Sequence, residues 1–305
     1  MNRGSRPLSR VQHALGDRTW SPRALLRPET WLILVPLAFV AVLFGWPLIE
    51  MLRQSVTDFV DPLGSTWDNY TWFLTNETQV TILVRTVVVS GVVVAVCLLV
   101  GFPYAYLMTL VGPKVRLLML AAILLPFWTS LLVRLYAWVI LLQPSGPILS
   151  ALEWLGWRDL RLLGTTWAVA LGSVQILVPF MVLTLYASLT VIDRRLLDAA
   201  QSLGATPRSA FVKVYLPLAV PGILAGSTIV FVFMMGFYFT PAFLGSTQNS
   251  LISQQIVSQI SRLLAFGRGS AMALVLLIVT MALLALVALA TRRLTRAVTG
   301  GTGRE

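Results

Sequence analysis

The stretch that decides the fold reads LLDAAQSLGATPRSAFVKVYLPLAVPGI, residues 196–223. It opens as a polar block carrying Asp198, Arg208 and Lys213 and ends inside an apolar run. Arg194 to Leu203 is rich in helix formers, with Asp193 placed as an N-cap and Gly204 placed to stop the helix. Ala199 and Ala200 give that helix a small-residue face that another surface can approach closely. Thr206 can cap a second short helix, with Pro207 in its first turn and its end near Tyr215. Leu216 and Pro217 then lead into the next apolar segment. A connector between two helices needs only a few residues, whereas this one fills 191–216. The pattern predicts a helix–turn–helix foot; the competing reading is an amphipathic hairpin resting on lipid.

Outward from the foot, the chain is dominated by six apolar segments at about 31–52, 80–110, 117–142, 165–190, 217–244 and 269–291. Each is long enough for a hydrocarbon core that takes about 20 helical residues. The runs are continuous rather than alternating, so they are helices and not barrel strands. The 305 residues are 57% hydrophobic and only 11% charged, too apolar a mixture for a soluble domain. The fold class is therefore all-α integral membrane protein with six transmembrane helices. Pro36, Pro47, Pro103, Pro126, Pro179, Pro221 and Pro241 lie inside or beside the segments and predict kinks.

The charges follow the segments. The net charge of +11 gathers at the two ends and in short loops, with no basic, aromatic-interleaved face of the kind nucleic acid requires. Residues 1–30 read as a basic, uncleaved cytoplasmic tail, with six arginines against one aspartate up to residue 28. The loop at 53–79 is acidic, whereas those at 111–116 and 191–216 and the tail at 292–305 are basic. The positive-inside bias places both termini and the foot on the cytoplasmic side, against one dissenting loop that holds Arg262 and Arg268. Two glycosylation-type sequons, at Asn69 and Asn76, fall in the acidic loop and read as chance matches.

Catalytic chemistry is missing from the pattern. There is no phosphate-cradling GxxxxGK run, no HExxH and no paired intramembrane carboxylates. The single cysteine, Cys97, sits in an apolar run, and the single histidine, His13, lies in the basic tail, so neither a metal site nor a nucleophile–base pair can be assembled. An ion-coupled secondary transporter is the main rival class. Its coupling groups would be ionisable residues near the midplane, for which Arg85 and Arg134 are the candidates. Neither forms a proton-relay pattern.

The spacing in the foot is specific. Asp198-Ala199-Ala200, three residues, Gly204, nine residues, Val214, one residue and Leu216-Pro217 resembles the signature loop of ABC importer permease subunits. That loop reads Glu-Ala-Ala, three residues, Gly, nine residues, Ile, one residue, Leu-Pro. Asp198 and Val214 are conservative departures from it. Further stretches resemble spermidine/putrescine-type permeases: STWDNYTWFL (65–74), GFPYAY (101–106), PFWTSLLVRLYAWVILLQPSGPI (126–148) and MGFYFTPAFLGSTQNSLISQQI (235–256). The resemblance covers most of 31–291. Within it, Tyr238 stands where polyamine-type permeases often carry an acid, so the solute stays open between polyamines and other amine, opine or amino-acid derivatives.

The resemblance implies a type I ABC importer permease fold in the bacterial inner membrane, with 193–216 as the cytoplasmic coupling loop of a 31–291 permease domain. Asp198, Ala199, Ala200, Leu203, Gly204, Val214, Leu216 and Pro217 would meet the ATPase. Tyr136, Trp138, Tyr238, Phe239, Thr240 and Pro241 would line the solute pathway. The implied partners are two ATP-binding cassette subunits, a second homologous permease, an extracytoplasmic substrate-binding protein and membrane lipid. ATP and magnesium would be held in the ATPase partner, with no cofactor in this chain.

Overall fold

The computed structural model describes residues 28–60, 64–157 and 160–299, and all regular elements among them are helical. Most of the basic tail, with His13, and the last six residues lie outside the described residues. The chain falls into two compact units, Met1–Arg53 and Gln54–Glu305. The first holds all but the last four residues of α1 (Pro28–Thr57), which carries Pro36 and Pro47 and exposes Leu37, Phe39, Phe44 and Trp46. Arg53 and Glu50, one turn apart, pair at 2.6 Å.

The second unit contains α2 (Asp68–Thr75), α3 (Glu77–Leu110), α4 (Pro113–Leu124), α5 (Leu131–Leu142), α6 (Pro147–Trp154) and α7 (Thr166–Leu189). It continues through α8 (Arg195–Ser202), α9 (Pro207–Ala210), α10 (Leu216–Met235), α11 (Phe239–Leu244), α12 (Ile252–Ser261) and α13 (Phe266–Thr299). Among the described residues, six spans are long and apolar enough to cross a membrane. The most buried is α7, two-thirds covered, packing against both α3 and α10. Small residues set its closest approaches. A Cβ on Gly101 of α3 would meet Met181 Cγ at 3.0 Å, and one on Gly226 of α10 would meet Met181 Sδ at 2.7 Å. The fully buried Met181 is thus clamped between two backbones that approach only where no side chain intervenes.

Three boundaries differ from the sequence reading. The third segment is not one helix from 117 to 142: α4 ends in a 3-10 turn, Leu125–Trp128, and Thr129 and Ser130 are extended before α5 begins. Pro126 supplies no N–H to the preceding turn; Leu125 keeps helical angles, and the chain passes into the 3-10 turn before it becomes extended at Thr129. The third span consists of α5 and α6 in Leu131–Trp154, bent at 143–146. The fifth segment does not run to 244 either: α10 stops at Met235, and the chain restarts as the short α11. Finally, α9 is not a separate second foot helix. A five-residue π turn, Phe211–Tyr215, carries it directly into α10, with the Leu216 N–H donating to the Phe211 carbonyl. Pro217 lacks an N–H for the carbonyl of Lys213, and the wider turn absorbs that missing bond.

A smaller core gathers Phe73, Ile82, Ile252 and Met272. Around it, Gly267 N donates to Asp58 Oδ2 at 3.0 Å, and the Arg268 guanidinium lies 4.5 Å above the Trp72 ring. Both sequons have structural roles here. Asn69 is buried and donates to the carbonyls of Ser55 (3.0 Å) and Asp58 (2.9 Å). Asn76 caps α3, accepting from Thr78 N and Gln79 N.

Candidate functional site

The foot forms as its residues dictate. Asp193 Oδ1 accepts from Arg195 N at 2.9 Å, capping α8 from two positions before its start. At the other end Gly204 takes φ +90, Ala205 N bonds to Ala200 O, and Gly204 N bonds to Gln201 O. That is a Schellman stop, which needs a residue content with positive φ. Thr206 Oγ1 accepts from Ser209 N at 3.3 Å, with Pro207 in the first turn of α9.

Two faces result. Leu197 packs toward the main core, and Ala200 is half-buried. Asp198, Ala199, Leu203 and Gly204 are exposed, and Leu203 is 89% exposed. A leucine bared to that degree at the tip of a polar helix is a knob without a socket among the described residues. Val214 and Leu216 are half-buried and Pro217 is exposed at the start of α10. The predicted coupling residues thus fall on one contiguous stretch, with α8 as its protruding part.

What braces the foot was not evident from the sequence. Phe102 and Tyr106 of α3 meet Phe211 and Tyr215 of the π turn: Tyr106 stands edge-on to Phe211 at 5.4 Å and to Tyr215 at 5.2 Å. Phe211 stacks on Tyr215 at 5.3 Å, and Phe102 completes the group at 6.4 Å from Phe211. Arg194 Nη2 donates to Thr109 Oγ1 at 3.0 Å, tying the start of α8 to the last turn of α3. The available signal was two i, i+4 aromatic pairs, Phe102/Tyr106 and Phe211/Tyr215.

The six residues predicted for the solute pathway separate into two groups. Tyr136 is exposed on α5 and stands edge-on to Phe243 of α11 at 5.4 Å. Trp138 Nε1 donates to Gln175 Oε1 of α7 at 3.2 Å. Tyr238 lies in the break between α10 and α11, with Phe239 exposed beside it, their rings 5.6 Å apart. Thr240 and Pro241 are buried, so neither contributes to an exposed wall in this conformation. Gln254 Nε2 of α12 holds the Pro241 carbonyl at 3.0 Å.

The two intramembrane arginines take different places. Arg85 donates to the carbonyls of Gln248 at 2.6 Å and Ser250 at 3.4 Å, joining α3 to the turn before α12. Arg134 lies on the packed stripe of α5, and its Nε is buried without a hydrogen-bond partner. No group of three metal-ligating side chains occurs among the described residues.

The family model described as binding-protein-dependent transport system inner membrane component matches residues 118–300. The chain belongs to that family. The permease is 36% identical over 253 residues to the spermidine/putrescine transport system permease protein PotB of Haemophilus influenzae, covering 78% of this chain and 88% of the relative. To PotB of Escherichia coli it is 36% identical over 216 residues, covering 70% and 78%. It is 30% identical to the Escherichia coli inner membrane ABC transporter permease protein YdcU, covering 73% and 79%. Among solved structures, a chain of the bacterial alginate ABC transporter in complex with alginate pentasaccharide-bound periplasmic protein superposes with a TM-score of 0.73. That match has 20% identity and covers 92% of the permease and 99% of that chain, so it speaks to fold alone. The permease is thus an inner-membrane transport subunit that works with a substrate-binding protein and further subunits. The ion-coupled alternative raised by Arg85 and Arg134 finds no support in this family.

Proposed function

We propose that the permease imports a small polar or cationic solute, a polyamine or related amine or amino-acid derivative, delivered by an extracytoplasmic binding protein. The names of the PotB relatives support the polyamine end of that range. Energy comes from two ATP-binding cassette subunits that hold ATP and magnesium, and a second homologous permease completes the membrane part. Loop charge favours a cytoplasmic foot and cytoplasmic termini, and the alternation of the six spans then leaves the α11–α12 region outside, against the basic Arg262 and Arg268 of that loop.

The observation that carries this reading is the exposed face of α8. It presents Leu203 and Asp198 outward while Arg194 and the four-ring cluster brace it from behind. A foot that merely rested on lipid would not need a rigid brace on two spans. When the ATPase subunits close, their groove moves α8, and the brace passes that movement to α3 and, through the π turn, to α10. Both pack on α7, so the spans rock as bodies between inward-open and outward-open states. Tyr136, Trp138, Tyr238 and Phe239 then form the pathway wall, with Thr240 and Pro241 behind it.

The test is copurification in mild detergent. The wild-type chain is expected to bring down an ATPase with a phosphate-binding loop and a second permease. Asp198→Lys, which reverses an exposed charge on α8, is expected to lose most of the ATPase while inserting normally. Equal ATPase yield from the variant would remove Asp198 from the contact.

A further inference from the structure

We propose that the cleft between α11 and α12 is a carboxylate-accepting solute site, with Arg262 as its cation and Tyr238 as its amine-facing ring. The cleft has a volume of about 330 Å³, and its lining includes Tyr238, Ser246, Thr247, Gln254, Gln255 and Arg262. That volume is at the lower end of small-molecule pockets and suits a solute of amino-acid size. No Asp or Glu lines it. Apart from Arg262, its polar side chains are neutral hydroxyls and amides, which can orient a solute without adding charge.

The wall is built in advance. Gln254 is held at both ends, Nε2 donating to Pro241 O at 3.0 Å and Oε1 accepting from Leu251 N at 2.8 Å. Gln255 Nε2 donates to Ser250 Oγ at 3.0 Å. Arg262 contrasts with two other arginines of this end. Arg85 is committed to two carbonyls and Arg268 to the Trp72 ring. The Arg262 side chain is exposed and makes no hydrogen bond or ion pair with any described residue.

A free guanidinium on a polar cleft takes a carboxylate, whose two oxygens match its fork. A diamine would meet the same guanidinium as a like charge and find no carboxylate in the lining. A solute with an amine at one end and a carboxylate at the other satisfies both ends, the ammonium over the Tyr238 ring and the carboxylate on Arg262. The cleft therefore selects amino-acid-type solutes over polyamines of similar length. This rests on the transport reading above and narrows its solute class.

The experiment measures small-molecule binding to the purified permease complex in nanodiscs, without the binding protein, by ligand-observed NMR. The probes are 4-aminobutanoate and 1,4-diaminobutane, which share a carbon chain and differ in one terminal group. The amino acid is expected to bind in preference to the diamine. Arg262→Gln is expected to weaken its binding about tenfold or more, and Arg262→Lys less. Arg262→Glu is expected to reverse the preference. Equal or better diamine binding, an Arg262→Gln variant with unchanged affinity, or no amino-acid binding would each overturn the proposal. If Arg262→Gln instead weakened only capture of the binding protein, the carboxylate would be a protein side chain and the solute site would fall. Copurification of the wild-type chain with an ATPase tests the transport reading separately, so the two failures are distinguishable.

Discussion

Gly204 shows how one residue sets a boundary that function depends on. At φ +90, L side chains are strained by about 1–2 kcal/mol, and no heavy atom lies within 4 Å of where a Cβ would stand. Gly204→Val therefore tests backbone geometry rather than packing. The variant is expected to insert and assemble its spans normally while solute uptake falls severely, because the Schellman stop sets the angle between α8 and α9. Uptake at the wild-type rate would show that this angle does not matter. Gly204 is legible in the sequence, since a helix-forming run followed by glycine is a stop signal. Leu203 is legible only in part: its place in the motif can be read, but its 89% exposure depends on which way α8 rolls on the spans below. The role of Asn69 is hidden, because a sequon pattern does not reveal that the side chain ties Ser55 and Asp58 from a buried position.

At the scale of elements, Met181 of α7 sits between two glycines, Gly101 of α3 and Gly226 of α10. Gly226→Val adds three carbons at a position where the first of them, Cβ, would already stand 2.7 Å from Met181 Sδ. Overpacking of this kind costs about 1–3 kcal/mol. The variant is expected to melt several degrees lower in detergent, and Met181→Ala in the same chain is expected to restore part of the loss by making room. A pair of purely additive losses would show that the two residues do not compete for that space. The apolar segments were readable from length and hydropathy, but their breaks were not. Hydropathy is blind to backbone donors, so 117–142 looked continuous although Pro126 interrupts it, and 217–244 looked continuous although α10 ends at Met235. The π turn at Phe211–Tyr215 eluded the sequence for the same reason. Its cause, Pro217, was visible, but one proline can kink, break or widen a helix, and the neighbouring rings select among these outcomes.

Across the whole second unit, single polar contacts join regions far apart in sequence. Arg85, inside the second span, holds the carbonyls of Gln248 and Ser250 in the connection between the fifth and sixth. A charge-assisted hydrogen bond of this kind contributes about 1.5–3 kcal/mol. Arg85→Gln is expected to speed amide exchange across 247–250 without changing exchange in α8, and unchanged rates at 247–250 would show that the contact does not hold the turn. The sequence by itself determined the solvent, the number of spans and the class of machine. Hydrophobic length answers to bilayer thickness, and the coupling motif is local, its spacing held within about twenty consecutive residues. Only the tertiary structure decided what those parts do to one another. It brought Phe102 and Tyr106 against Phe211 and Tyr215, buried Thr240 and Pro241 while leaving Tyr238 half-exposed, and left Arg262 on a cleft free of acids. Those outcomes depend on which helix faces meet, and nearly featureless apolar helices do not encode their facing in any short run of residues.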